Sequence, residues 1–473
     1  MNIRILRLIG VLFLIIFCVN HETLGQEKPS YNIEIEVAGL TDSIAYLGFH
    51  FGEKKYLQDT SQVVNGRVVF QSEKDLKTGL YFLYGKGLYL EFVVDETDFT
   101  LKTSTTDSYG NMEVKNSPSN ELFRDFQLMM VNHQNQLKEI TGKLDSTSIK
   151  EDSVATFNEI KLLNERNRID RDSMELVANE TYVGQILKMM NLNPELRFKG
   201  DSLSVEQKRD QYNAYRKTYF DELNFNSEGL LRSPIFHAKL IEYVDKVTFQ
   251  NPDSIIVSID ELMIKSKDNE ELYRYILSVM FQRYQNPKIM GMDKVFVYLG
   301  QEYYLGGKAT WADEKMLKEL KDELVFHVEN QIGLKAPQIY MQDTSNVQSD
   351  LYGINADYLI LYFYSPTCGH CKKKTPVLKD VYDRLDGKIE VAAVCTDTDA
   401  DKWKKFIRDL DLNWLNYADM GYKSNFRTQY NVRSTPVLYV LDKDKKIIAK
   451  KLDVEQVEKF IEDQIRLSEM TKS

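Results

Sequence analysis

The sequence predicts a multidomain α+β protein with an N-terminal antiparallel β domain, a central all-helical domain and a C-terminal α/β domain. Three patterns carry that prediction. From Tyr31 to about Lys102, apolar and polar residues alternate; from Leu122 to about Glu329, apolar residues recur at helical spacing; beyond Gly333, strand-like and helix-like segments follow one another in turn. The boundaries that follow are 1–25 for a leader, 26–115 for the β domain, 116–332 for the helical domain and 333–473 for the last.

The chain has 473 residues, which suits three domains at about 150 residues each. With 43% hydrophobic and 28% charged residues, 10 Pro and 23 Gly, it is neither collagenous, low-complexity nor multispanning. The 61 basic and 71 acidic residues give a net charge of −10, which argues against a nucleic acid or an anionic membrane surface as partner. Four cysteines in 473 residues are too few for a disulfide-stapled scaffold.

Arg4 and Arg7 precede the apolar run Leu8 to Val19, and Thr23-Leu24-Gly25 ends in small residues. This reads as an export signal cleaved before Gln26. Its apolar core falls short of the ~20 residues that a membrane-spanning helix needs. A second reading takes Ile15-Ile16-Phe17-Cys18 as a lipoprotein signal with a lipid tether at Cys18, although Phe17 is bulkier than the small residue usual there. Either way the expected location is the periplasm or cell envelope.

In the β region, Ile33, Ile35 and Val37 alternate with Asn32, Glu34 and Glu36, so one face is buried. Asn65-Gly66 between Val63-Val64 and Val68-Val69 is a strong hairpin signal, because both turn positions require positive φ. The aromatic residues of Tyr81 to Tyr84 would suit a carbohydrate or peptide groove, but core packing is the simpler role. The whole reads as an antiparallel domain of sandwich type.

Asn116-Ser117-Pro118-Ser119-Asn120 then breaks the pattern and can cap a helix whose apolar positions include Leu122, Phe123, Phe126, Met129 and Ile140. Gly306-Gly307-Lys308 lacks the first glycine of a phosphate loop.

In the C-terminal region, the unbroken apolar run Tyr358 to Tyr364 predicts a strand buried on both faces. A helix from Cys368 to about Leu385, a strand Ile389 to Cys395 and a helix from about Asp399 to Asp409 follow, a βαβα order that favours helices on both faces of a sheet. Val437 to Leu441 and Ile447 to Lys451 form a hairpin, and an amphipathic helix from Val454 to Ile465 closes the domain.

Chemistry concentrates in Cys368-Gly369-His370-Cys371, which follows the buried strand and opens a helix. Unpaired N–H groups and the positive end of the helix dipole stabilise a thiolate, and such sites lower a cysteine pKa from ~8.5 to ~3.5–7.5. Cys368 is therefore the candidate nucleophile and Cys371 the thiol that resolves its mixed disulfide. Gly369 and His370 are candidate tuning residues, since a cationic His370 would favour the thiolate and make the disulfide a better oxidant.

From about Gly333 to Leu467 the chain resembles the thioredoxin superfamily, and within it the bacterial envelope thiol-disulfide oxidoreductases called TlpA-like. The resemblance rests on the strand before the dithiol, Cys368 and Cys371, Pro376 inside the helix, and Thr435-Pro436 before the strand Val437 to Leu441. It implies a cis Thr435-Pro436 bond that faces the dithiol and lets Thr435 pair with an extended substrate strand. Departures are Thr367 where the family often has Trp, Tyr362 at the place of the buried aspartate of thioredoxins, and Lys374 at that of the glutamate of some envelope reductases. Lys374 is expected to replace that acid in part by electrostatic stabilisation. The β and helical regions are similar to uncharacterised modules that precede such domains in some Gram-negative envelope proteins.

Blander readings stand beside these. The dithiol as half a zinc site lacks a second pair, and haem attachment would need His at Lys372. Cys395 is most simply a core thiol, and His50, His133, His237 and His327 lack metal spacing. No cofactor or metal is called for. The sequence thus predicts an exported enzyme that reduces or exchanges disulfides in envelope proteins and is recharged by a membrane redox donor. A rival is an envelope binding protein whose thioredoxin-like domain is a docking module with little turnover.

Overall fold

The computed structural model describes residues 29–142, 150–192, 203–421 and 423–470. The leader, its cleavage before Gln26 and Cys18 lie outside them. No helix among the described residues is long and apolar enough to cross a membrane. The chain packs as two compact units. The first holds the described residues up to Asn191 with Gly229–His237; the second holds those of Leu192–Glu228 and everything described from Ala238 onward.

In the first unit the strands are β1 (Tyr31–Ala38), β2 (Ile44–Phe51), β3 (Lys54–Gln62), β4 (Arg67–Ser72), β5 (Gly79–Gly85), β6 (Leu88–Val94), β7 (Asp98–Ser104) and β8 (Glu113–Lys115). They form two four-stranded sheets, ordered β4-β1-β7-β8 and β3-β2-β5-β6. Both sheets contribute to one core, in which Ile33, Ile35 and Val37 of β1 meet Leu47, Leu83 and Phe92. The alternation read in β1 is therefore a face turned toward the opposite sheet. Pairing is antiparallel except between β1 and β7, which run parallel. Asn65 and Gly66 take φ of 53° and 77°, and the turn they make passes the chain from the edge of one sheet to the edge of the other.

Helices α1 (Pro118–Gly142), α2 (Lys150–Ala178) and α3 (Tyr182–Asn191) follow. The start of α1 is fixed by side chains that serve the sheet as well as the helix. Buried Asn120 accepts from the Val93 N–H at 2.9 Å and donates to the Val93 carbonyl at 2.8 Å. Ser117 and Ser119 are bonded to Glu96 and Asp95. A breaker cluster in the sequence is thus a bracket in the fold.

Next in the chain come α4 (Val205–Thr218), α5 (Pro234–Glu242), α6 (Pro252–Ser266), α7 (Glu270–Gln285), α8 (Asp293–Leu299) and α9 (Glu314–Leu324). Asn251, Asn269 and Asp313 cap α6, α7 and α9 by accepting from N–H groups that the first helical turn leaves unpaired. Ile255, Ile259 and Leu262 of α6 and Leu272, Ile276 and Met280 of α7 are buried at the predicted helical spacing.

The rest of the second unit is a seven-stranded sheet, built of β9 (Tyr340–Asp343), β10 (Gln348–Asp350), β11 (Tyr358–Tyr364), β12 (Glu390–Cys395), β13 (Leu415–Ala418), β14 (Val437–Asp442) and β15 (Ile447–Lys450) in the order β10-β9-β13-β12-β11-β14-β15. Its helices are α10 (Gly369–Arg384), α11 (Ala400–Asp409), α12 (Phe426–Gln429) and α13 (Val457–Met470). Strand β11 lies between parallel β12 and antiparallel β14. Ile360, Tyr362 and Tyr364 pack with residues of α10, α11 and α13, while Leu359, Leu361 and Phe363 pack with Ala336, Ile339, Phe426 and Tyr430. Burial of both rows explains the unbroken apolar run.

Removing the Asn120 bracket tests how α1 is tied to its sheet. Asn120→Leu leaves the buried Val93 N–H and C=O without their side-chain partner, so urea unfolding of the full chain should show a loss of about 1–3 kcal/mol. A change within ~0.5 kcal/mol would mean that α1 is held by its apolar contacts alone.

Candidate active site

Strand β11 ends at Tyr364, and Ser365-Pro366-Thr367 turns the chain into α10. Cys368 is the N-cap of that helix, with φ −73° and ψ 123°, and its sulfur accepts the Cys371 N–H at 3.5 Å. A sulfur thus occupies the place that Ser or Asp fills at most helix starts. Cys368 is partly exposed, whereas Cys371, one turn along, is fully buried.

Surroundings separate the two thiols further. Burial opposes ionisation of Cys368, but hydrogen bonding from the Cys371 N–H and from Thr435, aided by the His370 N–H, outweighs it and brings the pKa below the usual thiol value. Burial pushes Cys371 up to about 11, despite the Ser365 N–H aimed at its sulfur at 3.5 Å. The pair is therefore one easily ionised sulfur in front of one that ionises reluctantly.

The Thr435-Pro436 bond is cis. It brings the Thr435 carbonyl within 3.2 Å of Cys368 Sγ, on which the thiol form donates, while the Thr435 side chain favours the anion. Predicted site residues Cys368, Cys371, Thr435 and Pro436 thus stand together. Gly369 faces open space at the position a Cβ would take, and exposed His370 lines, together with Pro436, a cavity of about 530 Å³.

Lys374 lines the same cavity as Tyr362, His370 and Pro436, but its charge is engaged there. Its ammonium donates to Asp453 and Glu455, both at 2.7 Å, so its charge is matched by carboxylates rather than left to act on Cys371. Tyr362, at the position of the family's acid, bonds Thr375 Oγ1 at 3.0 Å, and burial drives its pKa far above the usual phenol value. It is a neutral hydroxyl beneath the dithiol and not a proton acceptor.

Sequence reasoning missed Asp397. Its Oδ2 accepts from Ser365 Oγ at 2.8 Å and from Thr367 Oγ1 at 3.1 Å, which holds the turn that presents Cys368. The signal was its place just past the carboxyl end of the parallel strand beside β11, where sites in α/β sheets gather. Cys395, buried and pushed up to about 12, packs in the core.

Residues 355–447 match the family model described as thioredoxin-like. Residues 31–123 and 202–324 match two domains of unknown function, DUF4369 and DUF5106. Among solved structures, a domain of a possible thiol-disulfide isomerase from Cytophaga hutchinsonii is 37% identical, covering 30% of this chain and 99% of that one, with a TM-score of 0.29. The thioredoxin domain of a thiol-disulfide oxidoreductase from Bacteroides vulgatus is 26% identical, covering 28% of this chain and 97% of that one, with a TM-score of 0.26. The curated protein named probable nucleoredoxin 1, from Arabidopsis thaliana, is 27% identical over 109 residues, and the match spans 22% of this chain and 19% of that protein.

Among the described cysteines, iodoacetamide should label Cys368 alone in the folded reduced protein at pH 7. In Cys371→Ser the rate should rise with pH through a midpoint below the ~8.5 of a free cysteine. Thr435→Val removes a donor to the thiolate and should move that midpoint upward; no movement would exclude the Thr435 side chain from ionisation. Because its charge is already matched, Lys374→Met should change the reduction potential by less than ~30 mV, the equivalent of ~1.4 kcal/mol.

Proposed function

From a C-terminal domain that belongs to the thioredoxin-like family, we propose that this protein is an exported thiol-disulfide oxidoreductase that reduces or exchanges disulfides in envelope proteins through Cys368 and Cys371. The observation that carries the reading is the partly exposed Cys368 sulfur capping α10, with the cis Thr435-Pro436 bond beside it. The Cys368 thiolate attacks one sulfur of a substrate disulfide, forming a mixed disulfide and expelling a substrate thiolate that takes up a proton. Cys371 gives up its proton and attacks Cys368 Sγ, which releases the second substrate thiolate. The substrate gains two electrons and two protons, and the enzyme is left as the Cys368–Cys371 disulfide.

Thr435 and Pro436 are the proposed docking strip, because an extended segment can pair with the backbone there. Return to the dithiol form needs an electron donor, and a membrane redox protein on the same side of the membrane fits an exported enzyme. Export, the envelope location and the tether at Cys18 rest on the leader sequence.

Insulin reduction with dithiothreitol as donor tests the reading. Wild type should accelerate precipitation and Cys368→Ser should fall to the uncatalysed rate, while Cys371→Ser should accumulate a mixed disulfide visible by mass. Equal, negligible activity in wild type and Cys368→Ser would favour a docking module instead.

A further inference from the structure

The cavity beside Pro436 is walled by more than the thioredoxin-like residues. His370 and Tyr362 line it together with Asn286, Glu323 and His327, which belong to the helical part of the same unit. A second cavity, of about 800 Å³, shares Asn286, His327, Lys451 and Leu452 with it, so the two make one groove that leads away from the dithiol.

Charge along this groove is unbalanced. Each carboxylate that lines it has a cation partner among the described residues: Glu323 has Arg433, Asp293 has Lys450, Asp453 and Glu455 have Lys374, and Asp463 has Arg466. Lys288, Lys451 and Lys459 line it too and have no carboxylate partner among the described residues. Of these three lysines, only Lys451 borders both cavities.

Lys451 also sits at φ 52°, a left-handed conformation that side chains other than glycine's rarely adopt. Burial, then the like charge of Lys450, lower its pKa from the usual lysine value, with Arg433 adding to the shift and the carboxylates of Asp293 and Glu323 offsetting it only in part. Those two cations are anchored: Lys450 on Asp293 and Asn330, Arg433 on Glu323 and over the Phe326 ring at 4.0 Å. They cannot turn away from Lys451, and the carboxylates that hold them offset their repulsion only in part, so a visiting carboxylate would relieve the remainder.

We propose that the groove receives an acidic stretch of the substrate polypeptide, with Lys451 as the specificity-determining residue that meets a carboxylate a few residues from the cysteine attacked by Cys368. The inference rests on the dithiol reading above for its reaction, but not for its binding. Charge complementarity of this kind selects among partners and weakens with salt.

The test uses the full exported chain and a pair of peptides, one rich in Asp and Glu around its cysteine and the other carrying Asn and Gln instead. With cysteine replaced by serine, the acidic peptide should bind wild type about five- to tenfold more tightly than the amide peptide at low salt. Lys451→Met should erase that preference, and Lys451→Glu should invert it. In disulfide-linked form the same preference should appear in kcat/KM, while the rate with the neutral reagent 4,4′-dithiodipyridine stays unchanged in both variants. Turnover with the acidic preference intact in Lys451→Met would overturn the groove proposal and leave the oxidoreductase reading standing. Binding that follows Lys451 without turnover of any disulfide would support the groove and overturn the oxidoreductase reading.

Discussion

The N–H groups that open α10 have no partner within the helix, and a sulfur supplies one. Everything chemical about the C-terminal domain depends on that substitution of sulfur for oxygen at a cap. It requires a helix that starts at the surface, directly after a strand too deeply buried to move. Leu359 to Tyr364 provide that strand, with both faces covered and a hydrogen-bonded neighbour on each edge. Asp397 then fixes the short turn between strand and helix through Ser365 and Thr367. The cap alone would give an ionisable thiol; strand and turn give it an address.

The two cysteines differ because they occupy different depths of one helix. Cys368 trades burial for several hydrogen bonds, whereas Cys371 keeps its burial and receives little in return. The family's buried acid would have offset that burial by taking a proton. Here Tyr362 fills the space, and its hydroxyl is held by Thr375. A tyrosine on a buried strand packs well, stacking on Tyr364 at 5.7 Å, and this packing role competes with any role in proton transfer.

Much of this was legible in the sequence, and the reasons differ from element to element. The run Tyr358 to Tyr364 has no polar break, so a strand buried on both faces was its natural reading, and the Cys368 cap follows from its position at the next turn. The Asn65-Gly66 turn was legible as a turn, but not as a passage between sheets, because partner choice belongs to long-range packing. Strands β9, β10 and β13 are three or four residues long and carry residues such as Gln342, Asn416 and Ser349, too short and polar to show a period. Lys374 read as a tuning residue because it stands where some envelope reductases of the resembled family have a glutamate. Its two acidic partners are some eighty residues away in the chain, and no local pattern announces them.

The depth of Cys371 has a temporal side. In the reduced pair, burial and the neighbouring Cys368 push the Cys371 thiol up to about 11, so at neutral pH it stays protonated. In the proposed reaction the covalent complex would then persist while it waits for that thiol to ionise. During the wait, a captured chain can leave by the reverse reaction or rearrange to a different pairing of its own cysteines. If burial still holds Cys371 protonated in that complex, slow resolution would act as a timer, giving wrongly joined cysteines longer to reshuffle before they are opened outright.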